Sequence, residues 1–265
     1  MQQFSIAVDI GNSRIAFACF ANGKMIRKWH HPLAGIERAA CEIKKSQNGD
    51  KPEALFISSV VPSATNILSD TVASAGIKTI NLKVDEQSII KGTYPTMGTD
   101  RLANAIGGHL LYGEKGKTIA IIDFGSATTL TAVDSYGELL GGLITLGLKT
   151  TLTSLNASLE QLPILSLTKK IEAQNLTVFG KNTKDAILNG TIMAHLAMID
   201  SWLTRCTELS AEPVNFVVTG GLAQTIYGVL PQITSKKHNI LMDQDLTLKG
   251  INLYAQAAED LEGRA

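Results

Sequence analysis

Two short segments of the chain set an aspartate, a glycine and small hydroxyl or amide side chains in the same order. Asp9-Ile10-Gly11-Asn12-Ser13 follows the apolar run from Phe4 to Val8, and Asp123-Phe124-Gly125-Ser126-Ala127-Thr128-Thr129 follows the run from Ile119 to Ile122. In each, a strand delivers a carboxylate to its end and a glycine lets the backbone turn tightly toward a ligand. Loops of this kind suit a phosphate chain and a divalent ion. Each is followed by a further β-rich stretch, Arg14–Phe20 and Thr128–Val133. The repeat therefore reads as a duplicated domain with the phosphates of a nucleotide between the copies. One Asp-x-Gly turn is most often an ordinary hairpin, so the information lies in the matched pair.

The elements that must position these loops can be read from periodicity. Phe4–Ile10, Arg14–Phe20 and Met25–His30 form a predicted three-stranded meander, with Asn22-Gly23 as a hairpin turn, and Ile36–Ser46 is helical. Ala54–Val61 is an unbroken apolar and β-branched run ended by Pro62, as expected of a buried parallel strand. Ala64–Ala75 has helical periodicity with Ser63 as its cap, Thr79–Leu82 is a short strand, and Asp100–Tyr112 is a helix. The polar run Gly113-Glu114-Lys115-Gly116-Lys117 marks a boundary, which predicts domains 1–115 and 116–265.

The second half repeats the scheme, with strands at Thr118–Asp123, Thr128–Asp134 and Glu138–Ile144 and a turn at Ser135-Tyr136-Gly137. Helices follow at Leu148–Leu162 and Lys184–Leu209, the latter with Ile187, Ile192, Leu196, Ile199 and Leu203 on one stripe. Val214–Thr219 is another buried strand leading into Gly220-Gly221, and Leu248–Leu261 closes the chain as a helix. The alternation implies an α/β fold of two halves around a cleft.

Composition narrows the partners. At 265 residues, 28.3 kDa and 45% hydrophobic content, the chain can build one large or two small cores. Lys+Arg and Asp+Glu both number 24, so no basic excess exists to bind nucleic acid. Met1-Gln2-Gln3-Phe4 lacks a basic leader, and no segment reaches the roughly 18 to 20 apolar residues of a membrane span. A cytoplasmic protein without membrane contact is the expectation. Cys19, Cys41 and Cys206 form no CxxC pair, and the five histidines show no metal-ligand spacing, so reduced thiols and structural imidazoles are expected.

The ordered motifs resemble those of the type III pantothenate kinases, a family of the acetate kinase, sugar kinase, Hsp70 and actin superfamily. The resemblance runs through both aspartate loops, Ser58-Ser59-Val60-Val61-Pro62, Gly98-Thr99-Asp100-Arg101, Gly141-Gly142-Leu143-Ile144, Gly180-Lys181-Asn182-Thr183, Thr219-Gly220-Gly221 and Leu246-Thr247-Leu248-Lys249-Gly250. It implies two duplicated ribonuclease-H-like, actin-like ATPase domains around a nucleotide cleft. The implied reaction is ATP-dependent phosphorylation of pantothenate, the first step toward coenzyme A, in a homodimer. Phosphoryl transfer needs positioning and charge neutralisation more than covalent chemistry, and the residues present suit that demand.

Carried onto this chain, the resemblance sets Asp9, Ile10, Gly11, Asn12, Ser13, Arg14, Ile15, Ala16 and Ser126 on the ATP phosphates, and Gly220 and Gly221 against the adenosine. Asp9 would hold Mg²⁺ through water, and Asp123 would lie beside a monovalent cation, K⁺ or NH₄⁺. Tyr94, Gly98, Thr99, Asp100, Arg101 and Thr183 would contact pantothenate, Thr183 from across the dimer interface. Asp100 is the expected catalytic residue, an acceptor for the substrate hydroxyl that the helix dipole holds ionised. Arg101 would grip the substrate or its carboxylate through its fork of donors.

Ser13 and Ser126 stand where threonine is usual, Leu146 replaces a frequent proline, and Tyr94 is one residue nearer the aspartate than in the family pattern. Two other functions stay open from sequence: a non-catalytic accessory factor in transcription, and a kinase for another small alcohol.

Overall fold

The computed structural model describes residues 4–45, 52, 54–159, 161–163, 165, 167, 171, 176–235 and 237–262. The helix end expected at Ser46 and the passage of a helix through Glu160 lie outside them. Internal contacts divide the chain into two units: Met1–Tyr112 with Gly137–Leu139 and Asp245–Ala265, and Gly113–Tyr136 with Leu140–Gln244. The last helix thus belongs by its contacts with the first unit, a grouping different from a single cut after residue 115.

The first unit is built on a five-stranded sheet in the order β3-β2-β1-β4-β5, from β1 (Phe4–Ile10), β2 (Arg14–Ala21), β3 (Lys24–Pro32), β4 (Ala54–Ser59) and β5 (Lys78–Asn81). The first three strands are antiparallel, and β4 and β5 add in parallel. Asn22 and Gly23 both have positive φ, 50° and 73°, which is the twist a two-residue hairpin requires and the reason for the Asn-Gly pair. Period-two alternation sends Ile6, Val8 and Ile10 to one face, where they join Phe17, Leu55 and Ile57 under α1 (Ile36–Lys44) and α2 (Pro62–Ala73).

Ser63 is not the cap of α2. Pro62 occupies the first turn after Val61, because its fixed φ is already helical and its missing N–H costs nothing there. The opposite sheet face carries α3 (Thr99–Tyr112) and α8 (Leu246–Glu262). They are tied by Thr247 Oγ1 donating to Asn104 Oδ1 at 2.8 Å, and α8 is tied to β1 by Ser5 Oγ donating to Asn252 Oδ1 at 3.1 Å.

The second unit repeats the order as β10-β9-β6-β7-β8, with β6 (Thr118–Phe124), β7 (Ala127–Val133), β8 (Leu139–Leu146), β9 (Val214–Thr219) and β10 (Ile240–Met242). As in the first unit, the central strand pairs antiparallel with its successor and parallel with the later strand. The duplication read from the two loops therefore extends to sheet topology. One face packs on α5 (Thr183–Leu209) through Ile192, Leu196, Ile199 and Leu203; Ile187 is only half-buried, and His195 joins the stripe.

Between β8 and α5, α4 (Leu148–Ser158) ends earlier than expected, at Leu159, whose backbone is extended (φ −131°, ψ 92°). Three short elements had no legible period: α6 (Ala223–Tyr227), α7 (Leu230–Ile233) and β10. No disulfide joins Cys19, Cys41 or Cys206. Among the described residues no helix is long and apolar enough to cross a membrane.

Candidate active site

In the first unit, β1 carries Asp9 to its end, in register with Ala16 on β2 and Ser58 on β4. The Gly11 N–H donates to the Arg14 carbonyl at 3.0 Å, closing a turn whose Asn12, Ser13 and Arg14 are exposed. Ile10 and Ile15 are fully buried in the core, so of the residues assigned to phosphate these two can offer only backbone.

Ser58 is fully buried on the same face as Asp9, and its hydroxyl donates to Thr99 Oγ1 at 3.1 Å. Thr99 Oγ1 also accepts from the Ser59 N–H at 3.0 Å and donates to the Ser59 carbonyl at 3.1 Å. A hydroxyl has one donor and two acceptor sites, so that of Thr99 is spent. Its side chain clamps the first turn of α3 to the end of β4, a positioning role that the motif alone did not separate from substrate contact.

That clamp delivers Asp100. Its Oδ1 accepts the Arg101 N–H at 2.7 Å and packs where a side chain on Gly98 would sit, 2.5 Å from a Cβ built there. Burial raises the Asp100 pKa, and the opposing pull of the Arg101 N–H and guanidinium is smaller. The expectation of a carboxylate simply held ionised by the helix dipole is corrected: desolvation outweighs the favourable charges here and makes Asp100 a stronger base than an ordinary aspartate. Arg101 is buried and donates from Nη1 to the Tyr94 hydroxyl at 2.6 Å. Tyr94 therefore joins this cluster despite its shortened spacing.

Gly98→Ala should leave the fold intact, because the clashing atom is a mobile carboxylate oxygen, and should turn Asp100 away from its present direction. A fall in turnover on the order of 10-fold or more is expected, with an unchanged melting temperature; normal turnover would show that the Asp100 rotamer does not matter.

The second unit holds the matching loop. Asp123 pairs in register with Thr129 on β7 and Thr219 on β9, and the Gly125 N–H donates to the Ala127 carbonyl at 3.0 Å. This turn spans Gly125 to Ala127 between paired Phe124 and Thr128, one residue shorter than Gly11 to Arg14 between Ile10 and Ile15. The Ser126 carbonyl is held twice, by the Gly147 N–H at 2.8 Å and by Thr150 Oγ1 at 2.6 Å. A side chain on Gly147 would overlap the Gly125 carbonyl and lie 2.7 Å from that of Ser126. Gly147 and Thr150 thus seat the start of α4 on the loop.

Deeper in the same unit, Thr128 Oγ1 lies 2.9 Å from His195 Nε2, and burial pushes the His195 pKa down, keeping the ring neutral. Gly147, Thr150 and His195 were not picked out from sequence. Only the glycine between a strand and a helix at Gly147 left a readable signal.

Gly220 has φ +94°, and a Cβ there would overlap the Asp123 carboxylate and lie 2.7 Å from the Phe124 nitrogen. Glycine at position 220 is required by this close approach, whatever the turn offers a nucleotide. Thr183 lies within the first turn of α5; the cap is Asn182, whose Oδ1 accepts the Asp185 N–H at 2.9 Å because an amide oxygen reaches that donor from an extended backbone. Gly180 lets this loop lie on the helix, since its Cβ would come 2.5 Å from the Ala186 nitrogen.

Among the described residues no three His, Cys, Asp or Glu side chains gather to hold a metal by themselves. That donor set fits Mg²⁺ arriving on a nucleotide, which takes one or two carboxylates and fills its shell with phosphate and water.

The paired sheets and end-of-strand aspartate turns define a class of fold, the actin-like arrangement of two ribonuclease-H-like domains. Solved structures agree in fold. The chain is similar to the ethanolamine utilization protein EutJ of Carboxydothermus hydrogenoformans (TM-score 0.59, 13% identity, 96% of this chain and 90% of that one). It is also similar to MreB 5 of Spiroplasma citri bound to AMPPNP (TM-score 0.56, 10% identity, 100% of both chains). Residues 5–205 match the family described as Type III pantothenate kinase.

Relatives bearing that description include one from Desulforapulum autotrophicum, 30% identical over 98% of this chain and 99% of its own, and one from Sphingopyxis alaskensis, 29% identical over 97% and 99%. The chain belongs to the type III pantothenate kinase family. Its activity is the phosphorylation of pantothenate in coenzyme A biosynthesis, a nucleotide-dependent reaction that needs a divalent metal. Nothing in these likenesses favours the accessory factor or a kinase for another alcohol.

Proposed function

We propose that Asp100 accepts and aims the pantothenate hydroxyl while the turns after Asp9 and Asp123 receive the phosphates of ATP. The observation that carries this reading is the Ser58–Thr99–Ser59 clamp, which fixes Asp100 relative to the strand end paired with Asp9. A loose phosphoryl-transfer transition state asks for an aimed nucleophile, and a carboxylate with a raised pKa is suited to take the hydroxyl proton late. Arg101, anchored by Tyr94, supplies positive charge beside the acceptor. Gly98, Thr99 and Tyr94 serve the substrate site, Thr99 by positioning. In the nucleotide role, the Gly11–Arg14 and Ser126 turns give backbone donors and hydroxyls, and Gly220 and Gly221 accommodate the adenosine.

Mg²⁺, when bound, neutralises phosphate charge, with Asp9 reaching it through water. Purified protein given ATP, Mg²⁺, K⁺ and pantothenate should form ADP and 4′-phosphopantothenate together; ADP formed equally without pantothenate would reject this acceptor.

We further propose a monovalent cation at Asp123, because ATP brings about four negative charges, Mg²⁺ offsets about two, and the Asp123 carboxylate adds another. Turnover should depend on K⁺ or NH₄⁺ and fall strongly in Na⁺, since longer oxygen distances suit the larger ion, and Asp123→Ala should abolish the K⁺ response. Equal rates in Na⁺ and K⁺ at matched ionic strength would defeat the proposal.

A homodimer completes the proposed site. Val178 and Phe179, directly before the Gly180–Thr183 loop, are 72% and 82% exposed, and Leu143, Ile144 and Leu146 are exposed along β8. Apolar side chains this open, next to a residue assigned to pantothenate, fit an isologous contact between copies. Sedimentation should give a dimer, and Phe179→Asp should produce a monomer with little activity; a fully active monomer would refute the shared site.

A further inference from the structure

We infer that His195 is a positioning residue for the nucleotide turn after Asp123 and holds that turn through Thr128; the inference rests on the phosphate role proposed above for the Ser126 turn. Thr128 is 1% exposed and His195 7%, and Thr128 Oγ1 lies 2.9 Å from His195 Nε2. Their surroundings are apolar. Phe124 is the strand partner of Thr128, Leu130 shares its face, and Ile192, Leu196 and Ile199 neighbour His195 along α5; all five belong to one buried cluster. Burial keeps the ring neutral, so the two groups make an ordinary uncharged hydrogen bond.

The hairpin itself does not require this pair. In the first unit the residues that close the equivalent turn are Ile10 and Ile15, both apolar and fully buried. An uncharged hydrogen bond between buried groups adds little net stability, because both give up water to form it, and apolar groups of the same shape can replace it at little loss. What an apolar pair lacks is direction. It tolerates small slips that a hydrogen bond of this length and alignment does not.

Direction matters at this turn. The Ser126 carbonyl is drawn to α4 by the Gly147 N–H at 2.8 Å and by Thr150 Oγ1 at 2.6 Å. A peptide unit is planar and trans, so the Ala127 N–H in the same unit points away from α4. Thr128 follows directly, and His195 ties it to α5. The turn is thus anchored at its centre by one helix and at its exit by another, which keeps its backbone donors in one direction before any phosphate arrives. Donors fixed in advance bind an anion without the cost of ordering the loop.

Thr128→Val, His195→Leu and the double variant in the full-length protein test this, with Ser126→Asp as a control on the turn itself. Each single variant strands one buried polar partner and should melt below wild type. The double variant removes both partners and should melt close to wild type. Its KM for ATP should nevertheless stay raised about 10-fold, with the KM for pantothenate within about twofold of normal. Thr128→Ser, which keeps the hydroxyl, should keep the wild-type KM for ATP. A double variant whose KM for ATP recovers together with its melting temperature would show a merely structural pair and overturn the inference; so would a double variant that melts below either single one. Ser126→Asp sets a carboxylate against phosphate and should raise the KM for ATP at least as much. If it does not, the nucleotide role of the turn fails, whereas a normal KM in the double variant beside an impaired Ser126→Asp overturns His195 alone.

Discussion

Asp100→Asn should give a folded protein whose turnover is lower by a factor on the order of 10² to 10⁴, about 3 to 5 kcal/mol of barrier, with ATP binding little changed. Asparagine keeps the shape and can still accept the Arg101 N–H, but it offers the substrate hydroxyl no charged oxygen. The stability effect runs the other way. The folded pKa of Asp100 is raised above its unfolded value, so protonation favours the fold. That contribution is fully present below the unfolded value of about 3.9 and is lost as pH rises through the folded one.

At neutral pH the ionised, desolvated carboxylate is therefore a cost that asparagine removes. The mutant should melt above wild type near pH 7, and the advantage should vanish at low pH, where the wild-type side chain is protonated. The acid limb of wild-type kcat/KM should lie above the ordinary aspartate range. Near-normal turnover in the folded mutant would remove Asp100 from the mechanism, and a lower melting temperature at pH 7 would contradict the desolvation argument.

Gly250→Ala should cost about 2 to 4 kcal/mol of stability, a melting temperature lower by roughly 5 to 10 °C. The helices α3 and α8 cross with almost no side chain between them. A Cβ on Gly250 would overlap the Ala103 carbonyl and lie 3.2 Å from the Gly107 nitrogen, and one on Gly107 would lie 2.9 Å from the Leu246 carbonyl oxygen. The clash is with backbone, so no rotamer relieves it and the helices must part. Because α3 begins with Thr99 and Asp100, parting them should also loosen the clamp and lower turnover. Adding Ala103→Gly should not rescue the variant, since the offending atom is a carbonyl; rescue, or an unchanged melting curve, would show that the helices can separate freely. The prediction is checked by thermal melts with and without Mg–ATP.

The two aspartate turns, the central strands and the Asn22-Gly23 hairpin were legible because each is governed by neighbours a few residues away. An alternating or continuous apolar run specifies a strand, and a pair of positive φ angles demands Asn-Gly. Element ends were less legible. Whether Ser63 or Pro62 starts α2, or Asn182 or Thr183 caps α5, depends on which side chain reaches an open N–H, and several polar residues in a row qualify equally.

Family motifs named Gly98–Arg101 as one block, yet its members do different things. Thr99 is consumed by Ser58 and Ser59, some 40 residues earlier in the chain, and Asp100 owes its raised pKa to burial that no local pattern encodes. Gly147 and Thr150 against Ser126, His195 against Thr128, and α8 grouped with the first unit are likewise partnerships between distant segments. Local periodicity determines which face of an element is apolar. Which polar atom on the other face finds a partner, and which is left for a ligand, is set only when the elements pack.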